Sequence, residues 1–172
     1  MQNNINIYFD IFTILHTKEE AGEFCDRIDD FVSTLYAVNQ ESVTGLIQKH
    51  FNQRMVDVLL QILQISKLDL NNRSLLKEFL QSMKDSIKSA KIADIRIAIV
   101  PDLSMIVELS STLREMFSDS KLLLAIKTDS QMMGGIELIW NGKYWNFSLE
   151  KEIDEWFKQN STASIINSTS IT

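Results

Sequence analysis

The spacing of apolar residues changes near Lys91, and this change limits the possible folds of the chain more than any other feature. Between Ala21 and Ser89 apolar residues recur at the spacing of an amphipathic helix. After Lys91 they alternate with other residues, which is the period of a strand. We therefore expect an α+β protein with a helical bundle domain at residues 1–90 and a small α/β domain at residues 91–160.

Apolar stripes in the first domain predict the helices of a bundle. The stripes are interrupted near residues 39–44 and 68–72, where polar and turn-forming residues gather. The segment INIYFDIF near the amino terminus fits either a strand or the β-branched start of a helix. The stripes consist of Phe24, Ile28, Phe31 and Leu35, then Val56, Leu59, Leu60 and Leu63, then Leu75, Leu76, Phe79, Leu80, Met83 and Ile87.

A strand, a helix and a second strand are expected at the start of the small domain. Ile95, Ile97 and Ile99 alternate with other side chains until Pro101, and this pattern predicts a strand. Ser104 is placed to cap the helix that follows, and the sequence KLLLAIKTD predicts the second strand. Elements of this order and length predict parallel neighbours that are joined by a right-handed crossover.

A β-hairpin is expected where the sequence reads IELIW-NG-KYWNF. Asn141 and Gly142 form a two-residue turn of the type that needs positive φ angles. This turn fixes the register, so one hairpin face should be apolar and the other mostly polar. The pairs expected on the apolar face are Trp140 with Lys143, Leu138 with Trp145 and Ile136 with Phe147, and those on the other face are Glu137 with Asn146 and Ile139 with Tyr144.

A last helix should begin after Ser148. Its apolar stripe contains Leu149, Ile153, Trp156 and Phe157. Residues 161–172 are rich in serine, threonine and asparagine, and we expect them to form a mobile polar tail.

Composition disfavours two classes of partner. The net charge is −6 and the sequence has no basic stretch, so a nucleic-acid partner is not expected. No run of about 18 apolar residues occurs, and no basic leader precedes the first apolar segment, so neither direct membrane insertion nor a signal peptide is expected. The single cysteine, Cys25, fits a reducing compartment.

The sequence contains few groups suited to catalysis. It has no phosphate-binding glycine loop, no histidine pair at metal-ligand spacing and no nucleophile elbow, and we expect no catalytic, metal or cofactor site. His16 and His50 lie in unrelated segments, and Asp26, Asp29 and Asp30 are interpreted as a solvated helix face. An unrecognised enzyme remains an alternative if a deep pocket gathers a histidine with several carboxylates.

Gly134 and Gly135 stand side by side just before the hairpin. The simplest explanation is a bend or bulge that requires positive φ or a close backbone contact. We assign Gly134, Gly135, Asn141, Gly142 and Ser148 to structural roles.

The features around this glycine pair resemble the carboxy-terminal part of the F-type ATP synthase delta subunit, whose mitochondrial counterpart is the oligomycin-sensitivity-conferring protein. In that family a strand leads to an aspartate, two apolar residues, Gly-Gly, a strand, a turn, Asp-x-Ser and a final helix. The matching residues are Asp129, Met132, Met133, Gly134, Gly135, Ile136, Gly142, Ser148 and Ile153. The resemblance covers roughly the last 65 residues.

The sequence departs from the family at several positions. Asn146 stands where the family has the aspartate of Asp-x-Ser, and Met133 stands where an isoleucine is usual before the glycines. The family's Tyr-Ala-Ala-Leu signature is not evident near Tyr8, and the helical part is shorter than the usual six-helix domain.

The resemblance implies a non-catalytic stator subunit at the cytoplasmic side of a membrane, peripheral within a membrane complex. Its helical domain would hold amino-terminal segments of the ATPase alpha subunits, and its small domain would hold the peripheral-stalk helix. Candidates for the alpha-facing surface are Phe24, Phe31, Leu35, Met55, Leu59 and Leu63, and candidates for the stalk-facing surface are Ile153, Trp156 and Phe157.

Two related functions stay open at this point. The chain could be a stator-like adaptor of a related ATPase in a secretion or gliding machine, or an E-type peripheral-stalk subunit. E-type subunits and flagellar stator-like proteins carry a long charged helix ahead of a similar small domain, whereas this sequence predicts short, interrupted helices there.

Overall fold

The order of helices and strands predicted from the apolar periodicity is present in the computed structural model. The structure describes residues 11–37 and 42–168, with side chains in the last helix as far as Gln159. Helices come first, followed by a four-stranded mixed sheet and a carboxy-terminal helix, which confirms the predicted fold class. The elements are α1 (Lys18–Ala37), α2 (Val43–His50), α3 (Gln53–Ile65), α4 (Arg73–Lys88), β1 (Ile92–Ile97), α5 (Leu103–Phe117), β2 (Leu123–Thr128), β3 (Gly135–Trp140), β4 (Lys143–Ser148) and α6 (Leu149–Ser168).

Side-chain caps define where three helices of the bundle begin. Ser42, Asn52 and Asn72 each accept a hydrogen bond from the backbone N–H three residues later, at 2.9 to 3.1 Å. The apolar stripes had predicted α1, α3 and α4 but not α2, because α2 buries only Leu46 and Ile47. Most of the INIYFDIF segment lies outside the described residues.

The chain divides into two compact units. Unit 1 contains Met1–Ile92 and Ser104–Leu124, and unit 2 contains Ala93–Leu103 and Ala125–Thr172. The first boundary lies close to the one expected at residue 90, but most of α5 belongs to unit 1 instead of the small domain. Arg114 on α5 accounts for this, because its guanidinium donates hydrogen bonds to the carbonyls of Phe12 (2.6 Å) and Leu15 (2.8 Å).

Large aromatic side chains form the centre of unit 1. Phe24, Phe31 and Phe51 are buried, and the ring of Phe51 lies 5.6 Å from that of Phe24 and 5.9 Å from that of Phe31. Aromatic contacts of this kind add to the free energy gained by burying the rings. Buried aliphatic residues of α1 to α4 complete this core.

The sheet has the strand order β2-β1-β3-β4. Leu123 N donates to Lys91 O and Asp129 N donates to Ile97 O, with the same sequence offset at both positions, so β1 and β2 run parallel as predicted. β3 is antiparallel to β1 and to β4. The hairpin register matches all five predicted pairs, and Asn141 and Gly142 have the expected positive φ angles of 49° and 73°.

One face of the sheet provides the buried side chains of unit 2. Ile95, Ile97, Leu138 and Trp140 are buried. Phe147 alternates onto the same face, but it lies on the edge strand β4 and stays exposed. The apolar face of the hairpin is therefore covered only in part.

Three element boundaries differ from the sequence prediction. β1 ends at Ile97, before Ile99, and α5 begins at Leu103, so Ser104 lies in its first turn. The α6 backbone is helical to Ser168, within the segment predicted to be a mobile tail, and residues 169–172 lie outside the described residues. No helix among the residues that the structure describes is long and apolar enough to cross a membrane.

Candidate partner-binding surfaces

The glycine pair lies where β3 begins beside the end of β4. Gly135 pairs with Ser148 and has a φ of 87°, and a Cβ atom there would lie 2.7 Å from Ser148 Cα and would also overlap Phe147 O. The carbonyl of Gly134 accepts a hydrogen bond from Leu149 N at 3.1 Å. Only glycine fits this close backbone approach, so the structural role assigned to Gly135 has a direct steric basis.

Asp129 organises the turn that precedes the glycines. Its Oδ1 accepts a hydrogen bond from Gln131 N at 2.9 Å, and its backbone carbonyl accepts one from Met132 N at 3.2 Å. Its Oδ2 lies 3.2 Å from Arg96 Nη1, and Arg96 also binds Glu137 at 2.6 Å. These ion pairs join the turn to β1 and β3 through charged side chains. The hydrogen bond from Arg96 also lowers the pKa of Glu137.

Asn146 and Ser148 determine where α6 begins. Asn146 Oδ1 accepts a hydrogen bond from Ser148 N at 2.8 Å. The buried hydroxyl oxygen of Ser148 accepts one from Lys151 N at 3.4 Å, in the first turn of α6. Ser148 therefore caps α6, which begins directly after it as the sequence predicted.

The apolar stripe of α6 is largely exposed. Trp156 and Phe157 are 59% and 58% exposed, and their rings lie 5.1 Å apart in an edge-on arrangement. Leu149 is also exposed, and Ile153 is half-buried. We call these four residues the α6 face. It contains all three residues predicted to meet a stalk helix, and exposed apolar groups of this size are typical of protein-binding surfaces.

Further apolar residues are exposed at one end of the sheet, where the carboxyl ends of β1 and β4 meet the amino end of β3. Met133, beside the glycine pair, is 69% exposed, and Val100, just after β1, is 81% exposed. Ile99, Leu103 and Phe147 are also more than half exposed. Sequence reasoning did not identify these positions as exposed, since it placed Ile99 inside a strand and Phe147 on the apolar face of the hairpin.

The six residues predicted to face the alpha subunits do not form a surface. Five of them are core side chains of unit 1 with at most 2% exposure, and Met55 is partly buried against the same core. This corrects the sequence interpretation: an apolar stripe at helical spacing marks the buried face of a helix whether or not a partner also binds that helix. The five buried residues are Phe24, Phe31, Leu35, Leu59 and Leu63.

A groove in unit 1 offers a different surface. It has a volume of about 400 Å³ and is lined by α1, the end of α4 and the first residues of β1 and β2. Gly22 in this lining lies beside open space, because a Cβ atom added there would have no neighbour within 4 Å. Burial raises the pKa of the Cys25 thiol, which keeps this part of the lining uncharged. The apolar lining consists of Ala21, Gly22, Cys25, Ile87, Ala90, Ile92 and Leu123, and the charged lining of Lys18, Asp26 and Lys88.

The two histidines and the acidic residues of α1 are not brought together. His16 is buried beside Arg54 and Arg114, and the ring of His50 meets the edge of Phe31 at 5.9 Å. Asp29 forms an ion pair with the buried Lys84. In the part of the chain that the structure describes, no group of three or more His, Cys, Asp or Glu residues could hold a metal ion.

Neither the models of known protein families nor the curated proteins contain a match to this chain.

Proposed function

We propose that this chain is a non-catalytic stator subunit that links the catalytic hexamer of a rotary F-type ATP synthase to its membrane-anchored peripheral stalk. The proposal rests on the resemblance around the glycine pair and on the presence of a separate candidate surface in each unit. It places the protein at the cytoplasmic side of the membrane as a peripheral part of the complex, without a cofactor of its own.

The observation that carries the proposal is the close approach of Gly135 to Ser148. These residues belong to two separate parts of the resembling pattern, Gly-Gly and Asp-x-Ser, and they are direct cross-strand partners. Asp129 forms the turn before them. The parts of the pattern therefore lie together in one local structure. β3 begins there at Gly135, and α6 begins directly after its partner Ser148.

The departure at Asn146 is compatible with this local structure. Its side-chain oxygen accepts a hydrogen bond from Ser148 N, and an aspartate could accept the same bond from the same position. The substitution therefore does not weaken the resemblance.

The two candidate surfaces suggest a division of roles. The groove of unit 1 has the apolar lining that an amphipathic helix needs, and it would hold an amino-terminal segment of an alpha subunit. The α6 face would hold the stalk helix through Trp156 and Phe157, which are aromatic residues of the kind that dominate binding energies.

The helices of unit 1 favour this function over an E-type peripheral-stalk subunit. The helices before the sheet contain 20, 8, 13 and 16 residues and share one core. A long charged helix would instead be solvated along most of its length. A stator-like adaptor of a secretion or gliding machine would bind a different ATPase. The copurification experiment below therefore distinguishes it from an ATP synthase subunit.

Affinity purification from gently washed membranes of the native organism, followed by mass spectrometry, tests the proposal. We expect ATPase alpha and beta subunits and a membrane-anchored stalk subunit, with about one copy of this chain per hexamer. Recovery of a secretion or gliding ATPase would favour the adaptor, and recovery of no ATPase would refute both functions.

Matched variants assign each surface to its partner. Gly22→Trp fills the groove and should lose the hexamer while it keeps the stalk, whereas Gly22→Ala should keep both because a methyl group has room there. Trp156→Ser with Phe157→Ser should lose the stalk and keep the hexamer. Gln159→Ser, an exposed change on the same helix, is the control.

A further inference from the structure

His16 is a buried titratable residue that the proposed function does not use. Its side chain is 4% exposed, and it lies in the segment that leads into α1. Its backbone carbonyl accepts a hydrogen bond from Leu124 N at 2.9 Å, and Thr17 forms a parallel bridge with Leu124. The histidine is therefore part of the connection between residues 11–17 and the start of β2.

The contact with Arg54 determines which nitrogen of the neutral imidazole carries the proton. Nη2 of Arg54 lies 3.4 Å from Nε2 of His16, and a guanidinium group can only donate. Nε2 must therefore accept, and a neutral ring carries its proton on Nδ1. Among the residues that the structure describes, Nδ1 has no hydrogen-bond partner, although it is buried. In the neutral ring Nε2 accepts the hydrogen bond from Arg54. A second proton on the ring would break this bond, and no acceptor among the described residues lies beside Nδ1 to stabilise the resulting charge.

Arg114 holds the same segment from α5. Its guanidinium donates to the carbonyls of Phe12 at 2.6 Å, Leu15 at 2.8 Å and Leu122 at 3.0 Å. These bonds place a second positive charge beside His16. A protonated imidazole would lose the hydrogen bond from Arg54 and would meet two guanidinium groups inside the protein, which is costly for a buried charge.

We propose that His16 is an acid-sensitive latch, whose protonation loosens residues 11–17 from α3, α5 and the start of β2. The neutral imidazole keeps the latch closed by accepting from Arg54. The protonated imidazole opens the latch because its positive charge repels the guanidinium of Arg114. Arg114 then no longer holds the carbonyls of Phe12 and Leu15.

The remaining charged group near the ring does not neutralise this effect. Glu20 on α1 faces His16, but its Oε2 already accepts hydrogen bonds from the backbone N–H groups of His16 (2.8 Å) and Thr17 (3.0 Å). Burial is the largest influence and lowers the pKa of His16 below its ordinary value of 6.5. Arg114 and Arg54 lower this pKa further, while Glu20 raises it.

The sign of the pH dependence follows from the lowered pKa. Between pH 6.5 and the lower pKa of the closed state, the open state binds more protons than the closed state. The latch is thus most stable above pH 6.5 and loses stability as the pH falls through this range. The opening equilibrium should rise by up to about tenfold per pH unit there.

Amide hydrogen exchange of the full chain from pH 7.5 to pH 5.5, corrected for the intrinsic rate, tests the latch. His50→Gln leaves His16 as the only histidine, since the chain has two. In that variant the Leu124 amide should begin to lose protection as the pH falls below 6.5, and the loss should level off near the lowered pKa that the imidazole resonances of His16 report. Unchanged protection, or a His16 pKa at or above 6.5, would overturn the proposal.

His16→Gln provides the matched comparison, because glutamine can accept from Arg54 and does not titrate. We expect protection of the Leu124 amide to be independent of pH over this range in His16→Gln. An equal loss of protection in both variants would also overturn the proposal. If His16→Gln does not fold, the titration of His16 in His50→Gln still decides the question.

Discussion

Unit 1 and unit 2 differ in how completely they cover their apolar side chains. Unit 1 buries four phenylalanines, Phe12, Phe24, Phe31 and Phe51, and its core residues are almost fully buried. Unit 2 is smaller, yet it carries ten of the fourteen large apolar residues that are exposed in the described part of the chain. The ten are Ile99, Val100, Leu103, Met133, Ile139, Tyr144, Phe147, Leu149, Trp156 and Phe157.

This difference separates residues that stabilise the fold from residues that are available to a partner. A small sheet with one covered face has limited apolar area to bury, so its stability depends strongly on its turns and caps. Unit 1 can tolerate changes in its loops but not in its core. Core substitutions in unit 1 and turn substitutions in unit 2 should therefore lower stability, whereas substitutions of the exposed apolar residues of unit 2 should affect binding instead.

The largest expected effect is the loss of the native hairpin in Gly135→Val. The valine side chain would overlap the backbone of Phe147 and Ser148, and its φ of 87° would be strained as well. Urea unfolding followed by tryptophan fluorescence measures this effect, since Trp140, Trp145 and Trp156 all lie in unit 2.

Gly142→Ala is the control for the hairpin experiment. It has a positive φ of 73° but no atom within 4 Å of an added Cβ, so it should cost only about 1–2 kcal/mol. Equal stability of Gly135→Val and Gly142→Ala would contradict the steric role of Gly135.

Phe31→Ala should lower the free energy of unfolding of unit 1 by about 3–5 kcal/mol, because it leaves a cavity in the core. Circular dichroism of the helices during urea unfolding measures the change. Leu75→Ala, an exposed change on α4, should cost less than about 1 kcal/mol. Similar costs for both variants would contradict the described core.

Arg114→Lys should lower stability by about 2–3 kcal/mol, because lysine cannot replace three hydrogen bonds to separate carbonyls. Arg27 donates to a single carbonyl, that of His50, and is exposed. Arg27→Lys should therefore change the unfolding free energy by less than about 0.5 kcal/mol. Thermal unfolding of both variants checks the difference, and equal effects would refute the role of Arg114.

The smallest effect on stability is expected for Trp156→Ser with Phe157→Ser. Both side chains are more than half exposed, so the free energy of unfolding should change by less than about 0.5 kcal/mol per substitution. The α6 face should nevertheless lose the proposed stalk partner in copurification. A large loss of stability would instead identify these aromatic residues as structural.

The fold could be predicted further than the binding surfaces. Hairpin register followed from Asn141 and Gly142, because a two-residue turn fixes every pair beyond it. The α2 helix was missed because a short helix carries too few apolar positions to show a period. Phe24 and Trp156 had the same helical spacing, yet one is buried and the other exposed. Periodicity identifies an apolar face but not what covers it.

The most direct test of the proposed stator function is proton pumping by inverted membrane vesicles from a strain that lacks this chain. ATP hydrolysis by the hexamer should continue, whereas ATP-driven proton pumping should be lost and should return when the purified full-length protein is added. This result is predicted because a stator resists torque without taking part in catalysis. Proton pumping that is unchanged in the absence of the chain would contradict the account.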